Sequence, residues 1–461
     1  MILIFLLILS FSALADLPCL DISYNEACLL AVENSKQLNA ERFNLLSNSK
    51  RNKADIGRYL PRLSIAYNEG SNVVYEGPDR ENHDLSICLE QLIFEGGKEK
   101  INRQLSAFEL IQASMQLDAE AAAIIGKVGE IYTEVLALLE EKEIRADNLY
   151  LAREQLRILG VKRAVGEARE SDVLEAELEM KSIEMEFLDI GFRIDDSMSE
   201  LKNFIGVPDG AELSLVERIN KDYAGLNLGP KVEDMFSFAM DNNLQLKILE
   251  NKIMQKRKQN ELLEKSSWPE LYGRFSCGFS GNKFPLGNPS FSIEFVLAFP
   301  ENAALKNFNF SASGDLNKSR ALNSNTVLVS PTDFASSIDK MDMTLAVKTA
   351  VLDKDSFCKE LLAELKRLIR NYEFFQSRLE VQKQVEELIK NSISVMEKQL
   401  ELGEITPMEL LKNGNRLAAE KISRLEQILS LLQIEAELED LIGLTPGGLG
   451  LFDPNAAGIY D

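Results

Sequence analysis

The sequence predicts an α+β membrane protein: a duplicated unit combines long antiparallel helical coiled coils with short strands that are shares of an oligomeric β-barrel. Three observations predict it: an internal repeat, four segments that alternate with period two, and helical stretches too long for a globule. At an offset of 208 (269 − 61), Ala31-Val32-Glu33-Asn34 falls on Ala239-Met240-Asp241-Asn242, Gln37-Leu38 on Gln245-Leu246, and Pro61 on Pro269. At 206 (293 − 87), Leu85-Ser86-Ile87 falls on Phe291-Ser292-Ile293. At 237 (403 − 166), Gly166-Glu167 falls on Gly403-Glu404, and Leu201, Ile205 and Gly206 on Leu438, Ile442 and Gly443. A repeat of this length that mixes long helices with isolated strands admits few architectures.

In chain order, residues 1–15 form an apolar run ending Ala13-Leu14-Ala15, read as a signal peptide although it has no basic n-region. No other segment reaches the roughly 20 apolar residues of a membrane-spanning helix. Cys19 follows Pro18, a poor context for lipidation, which stays the lesser alternative. The first repeat is expected over 16–207, a linker over 208–230, the second repeat over 231–443 and a loop-like tail over 444–461. The offset grows from 206 to 237, so the second copy gains an insertion, placed near 301–340. That stretch is rich in Ser and Asn and is expected to lie outside the shared scaffold.

Each repeat supplies two strands. Leu63, Ile65 and Tyr67 oppose Ser64, Ala66 and Asn68, and Leu85, Ile87 and Leu89 oppose Ser86, Cys88 and Glu90. In the second copy Leu271, Phe275, Cys277 and Phe279 oppose Tyr272, Arg274, Ser276 and Ser280; Phe291, Ile293, Phe295, Leu297 and Phe299 oppose Ser290, Ser292 and Glu294. Soluble hairpins also alternate. A membrane barrel is favoured by strand length near the 9–11 residues of a tilted span, by polar loops at Gly77-Pro78-Asp79 and Gly281-Asn282, and by aromatics near strand ends (Tyr59, Tyr67, Trp268, Phe299). Four strands cannot close a barrel, so such a chain must be an oligomer.

The helices follow. Lys98 to Leu159 has no proline and would rise about 90 Å. Beyond a turn near Gly166, Ala176, Met180, Ile183, Phe187, Ile190, Ile194, Leu201 and Phe204 form a coiled-coil seam, echoed by Ile422, Leu425, Leu429, Leu432 and Ala436.

Composition narrows function. The 51 basic and 73 acidic residues give −22, which argues against nucleic acid. Five cysteines without a CxxC and one histidine, His83, placed in a polar loop, leave little for zinc sites or Ser-His triads. No enzyme activity and no cofactor are expected.

With both halves laid out, the chain resembles the TolC-like outer-membrane efflux family along nearly its full mature length. Leu60-Pro61-Arg62-Leu63-Ser64 resembles its helix-to-strand passage and Gln91-Leu92-Ile93-Phe94-Glu95-Gly96-Gly97 its strand-to-helix exit. Gly166 with Asp172-Val173-Leu174, and Gly403 with Glu409-Leu410-Leu411, resemble its periplasmic turns. The resemblance implies a homotrimer in the outer membrane, with a twelve-stranded barrel of four strands per chain above a periplasmic helical tube. It implies docking to a periplasmic adaptor and an inner-membrane transporter, in a tripartite efflux or type I secretion system. Asp172 and Glu409 match acidic positions of the family's gate; Val165, Gly166, Glu167, Leu402, Gly403 and Glu404 fall at the adaptor-facing tip. Leu400, Ile405 and Lys412 stand where the best-studied type has Tyr, Arg and Asp, so its particular gate bonds do not carry over. The second strand exit also departs, reading Phe299-Pro300-Glu301-Asn302 in place of a Gly pair. The alternative is a structural coiled-coil protein of the cell envelope without a pore.

Overall fold

A computed structural model describes residues 20–55, 57, 60–72, 80–208, 210–220, 223, 225, 232–266, 268–299, 305–315, 320–328, 335–402 and 404–444. The expected leader, Cys19, Tyr59, the loop at 77–79, Gly403 and residues 445–461 of the tail lie outside them. The elements are β1 (Leu20–Ile22), α1 (Tyr24–Asn34), α2 (Lys36–Asp55), β2 (Arg62–Asn72), β3 (Arg80–Phe94), α3 (Lys98–Val165) and α4 (Glu170–Ile205). After β4 (Leu213–Leu215) come α5 (Val232–Asn242), α6 (Leu244–Lys265), β5 (Glu270–Gly281), β6 (Asn288–Ala298), β7 (Leu305–Asp315), β8 (Arg320–Leu328), α7 (Ala335–Glu401) and α8 (Pro407–Ile442). No helix among the described residues is long and apolar enough to cross a membrane. The described residues divide into two compact units: those within 20–40, 117–246 and 357–444 in one, and those within 41–116 and 247–356 in the other.

The first unit is a helical bundle. Its core draws Val128, Ile131, Tyr132 and Val135 from α3, Leu201 and Ile205 from α4, Leu365, Leu368 and Tyr372 from α7, and Leu425, Ile428, Leu431, Leu438 and Ile442 from α8. Residues matched by the sequence offset of 237 are buried in one cluster: Leu201 with Leu438 and Ile205 with Ile442. Each such side chain removed from water contributes about 1.5–3 kcal/mol. The seam differs from expectation at its end, where Ile205 is buried and Phe204 is 36% exposed. The helix rotates about 100° per residue, and that step turns Phe204 away from the core that Ile205 enters.

Asparagine side chains satisfy the last-turn carbonyls of both returning helices: Asn34 donates to the Ile205 carbonyl at 2.8 Å, and Asn243 to that of Leu441 at 2.9 Å. The stretch expected as a linker contains β4, which pairs in parallel with β1. Deep in the bundle, Tyr223 donates to the buried Glu435 at 2.7 Å and Tyr372 donates to it as well. Burial, reinforced by Glu435, pushes the Tyr223 hydroxyl well above the ordinary tyrosine range, so it stays a donor.

The second unit holds a six-stranded sheet in the order β2-β3-β5-β6-β7-β8, antiparallel at every pairing. The four expected strands are present, and the insertion adds two more. Its Ser- and Asn-rich composition conceals a period-two pattern: Phe308, Phe310 and Ala312 alternate with Asn307, Asn309 and Ser311. Residues 305–315 and 320–328 of the insertion are therefore part of the sheet, not outside the scaffold. The departure at Phe299-Pro300-Glu301 has its reason here: β6 leads into another strand, where β3 leads into a helix. His83 lies in β3 and not in a loop, with its Nδ1 2.9 Å from the Tyr67 hydroxyl.

Candidate functional site

Register sorts the sheet into two faces. Directly paired residues share a face, and one row reads Leu63, Leu89, Phe275, Ile293, Ala312, Leu322 from edge to edge. The neighbouring row reads Ile65, Ile87, Cys277, Phe291, Gly314, Arg320. This apolar face is uncovered: Ile65 is 67%, Ile293 49% and Leu322 74% exposed. A contiguous apolar surface of this kind marks contact with a partner or with lipid.

The opposite face carries the charges. One row there reads Arg62, Glu90, Arg274, Glu294, Ser311, Asn323. Arg274 donates to Glu90 at 2.7 Å through Nη2 and to Glu294 at 2.8 Å through Nη1. One step along, the Ser276 and Ser292 hydroxyls meet at 2.5 Å. An apolar face backed by a polar, ion-paired one is the pattern of a barrel wall between hydrocarbon and water.

The tips of the helical hairpins lie in the first unit. At the end of α3, the Glu167 N–H donates to the Lys162 carbonyl at 2.8 Å and that of Gly166 to Arg163 at 2.9 Å. At the end of α7 the Glu404 N–H donates to the Gln399 carbonyl at 2.9 Å, the same bond 237 positions later. Arg163 pairs with Glu170 across the first turn at 2.6 Å. Val165 and Leu402 stand 71% and 75% exposed.

Both acidic candidates sit at the third position of a returning helix. Asp172 accepts from the Arg169 N–H at 3.4 Å, and Glu409 from the Thr406 N–H at 3.3 Å, while Thr406 Oγ1 accepts from the Glu409 N–H in return. Capping the first turn is thus one role these carboxylates fill. Just inside the tips, Leu149, Ala152 and Leu159 of α3 cluster with Ala176 and Ile183 of α4 and with Met408 and Leu411 of α8. This packing brings the starts of α4 and α8 together. Lys412 pairs with Glu175 at 3.0 Å and is held protonated above the usual lysine range by that bond; Asn415 donates to Glu179 and accepts from Asn148 at 3.0 Å. Sequence reasoning named Lys412 only as a departure from the family and missed its acidic partner 237 positions away. No group of three or more His, Cys, Asp or Glu poised for a metal occurs among the described residues.

No protein-family model matches the chain, and no curated protein matches it by sequence. Solved structures do match. The chain is similar to CusC, studied for the conformational changes that accompany folding and transmembrane channel formation, with TM-score 0.74 and 10% identity over 94% of this chain and 96% of that one. It is similar to the outer membrane protein VceC of Vibrio cholerae, with TM-score 0.70 and 13% identity over 91% of this chain and 96% of that one. It is also similar to the CmeC outer membrane channel of Campylobacter jejuni, with TM-score 0.69 and 13% identity over 92% of this chain and 86% of that one. The class of fold is thereby defined as that of outer-membrane channels. In particular, the chain has the TolC-like fold.

Proposed function

We propose that this chain is a passive exit duct in the outer membrane, one of three identical subunits in a tripartite efflux or type I secretion system. The observation that carries this reading is the sheet: its apolar face is exposed from Leu63 to Leu322, and its other face holds the Arg274 ion pairs. Lipid would cover the first and water the second. Lacking a membrane, the apolar face would have no occupant, which is why an envelope coiled coil without a pore is the weaker reading.

In this proposal a periplasmic adaptor docks on the exposed tip residues Val165 and Leu402, beside Gly166, Glu167, Gly403 and Glu404, and an inner-membrane transporter supplies the energy. Asp172 and Glu409, besides capping, contribute acidic groups that hold the closed tips through cation contacts or hydrogen bonds. Transport needs no covalent chemistry in the duct. Outer-membrane fractionation followed by mass measurement in detergent tests the reading: a detergent-requiring trimer is expected, and a stable monomer soluble without detergent refutes it.

A further inference from the structure

We propose that the β7–β8 hairpin widens the barrel, so that copies of this chain meet along β8 of one and β2 of the next, and three copies of six strands close a ring of eighteen. This rests on the reading of the sheet as one share of a trimeric barrel. The outer edge of β6 is already bonded to β7 of the same chain, from Ser290↔Asp315 to Ala298↔Asn307. The sheet's edges are β2 and β8.

In hydrocarbon an open edge leaves a row of backbone N–H and C=O groups without partners, at several kcal/mol each, so both edges must be paired. Five successive antiparallel pairings make β2 and β8 run in opposite directions. A copy rotated about the barrel axis therefore sets its β2 antiparallel to its neighbour's β8, and the antiparallel pattern continues unbroken. The faces agree as well: Leu63 at one edge and Leu322 at the other lie on the same side, so the apolar surface runs through the seam. A sheet of this strand number encloses a water-filled channel. The competing seam would join β2 to β6 in a twelve-stranded ring and would have to strip β7 from β6. The weakest place for the wider ring is β8, whose apolar face sets Leu322 between Arg320 and Ser324.

The test is cysteine cross-linking in the full-length protein with its five native cysteines replaced by serine. Ser64→Cys or Ala66→Cys on β2 is combined with Ala321→Cys, Asn323→Cys or Asn325→Cys on β8, all on the polar face; a second set pairs the same β2 sites with Ser290→Cys or Ser292→Cys on β6. Oligomer on semi-native gels is checked before oxidation. The proposal expects covalent dimers and trimers from β2–β8 pairs, none from β2–β6 pairs and none from single cysteines. Ladders from β2–β6 pairs, or an intact oligomer that neither set links, overturn the eighteen-stranded ring and leave the duct standing. A protein that is only ever monomeric overturns both.

Discussion

Placing an arginine at Ile293 or at its neighbour Ser292 separates the two faces of the sheet at one depth. Ile293 is the middle of the eleven residues of β6. Eleven residues rise about 36 Å, and at a tilt of about 45° they reach about 26 Å along the membrane normal, close to the apolar band of a barrel. Ile293, 49% exposed between Phe275 and Ala312, would therefore sit near the midplane of the proposed barrel. An arginine facing lipid there costs about 2–4 kcal/mol, or roughly 30- to 1,000-fold in the assembly equilibrium for each copy. Ser292 faces the other way, between Ser276 and Ser313. Arginine at that position loses the Ser276 contact, about 0.5–1.5 kcal/mol, but projects into water. The assay is heat-resistant oligomer on semi-native gels, with the urea midpoint as a second measure. Ile293→Arg should abolish most of the oligomer and Ser292→Arg should retain it. Equal losses, or a greater loss for Ser292→Arg, would refute the assignment of faces.

Three further outcomes are expected. Gly166→Ala and Gly443→Ala both impose left-handed backbone on a residue with a side chain, at about 1–2 kcal/mol; the first meets nothing within 4 Å, whereas the second places a methyl 2.6 Å from the Asn242 backbone. Chemical denaturation should accordingly show Gly443→Ala as clearly the more destabilising. Glu435→Ala strips the acceptor from the buried hydroxyls of Tyr223 and Tyr372, at about 1–3 kcal/mol for each, while Tyr372→Phe costs only about 1 kcal/mol; urea unfolding in detergent ranks them. Asp172→Asn combined with Glu409→Gln should raise single-channel conductance in planar bilayers; conductance unchanged in an intact trimer would leave helix capping as their role.

The helices and four of the sheet's strands were legible because each rests on a periodic signal that burial enforces. Ala176, Ile183, Ile190 and Leu201 recur at helical spacing and are buried at that spacing, and Leu85, Ile87 and Leu89 recur at two and share one face. The insertion's place was legible but its two strands were not: β8, RALNSNTVL, sets Leu322 among Arg320, Asn323 and Ser324, so its alternation is weak and β7 carries the clearer period. The missed strands also lack a counterpart in the first copy, so the repeat could mark their length but not their structure. The contacts at the tips were hidden for a different reason. Pairs such as Lys412–Glu175 and Asn148–Asn415 join residues hundreds of positions apart, and no local pattern encodes which charge on one exposed helix will meet which on another.

The strand count and the face pattern together constrain the seam more than either does alone. An odd number of strands per chain would bring edges running in the same direction together at each junction, breaking the antiparallel ladder. A pair of inserted strands preserves it, so a hairpin is the smallest insertion that can enlarge such a barrel without disturbing the chain's own pairing. The insertion between β6 and α7 has that form: β7 continues the apolar row from Ile293 through Ala312, and β8 carries it to Leu322 at the new edge.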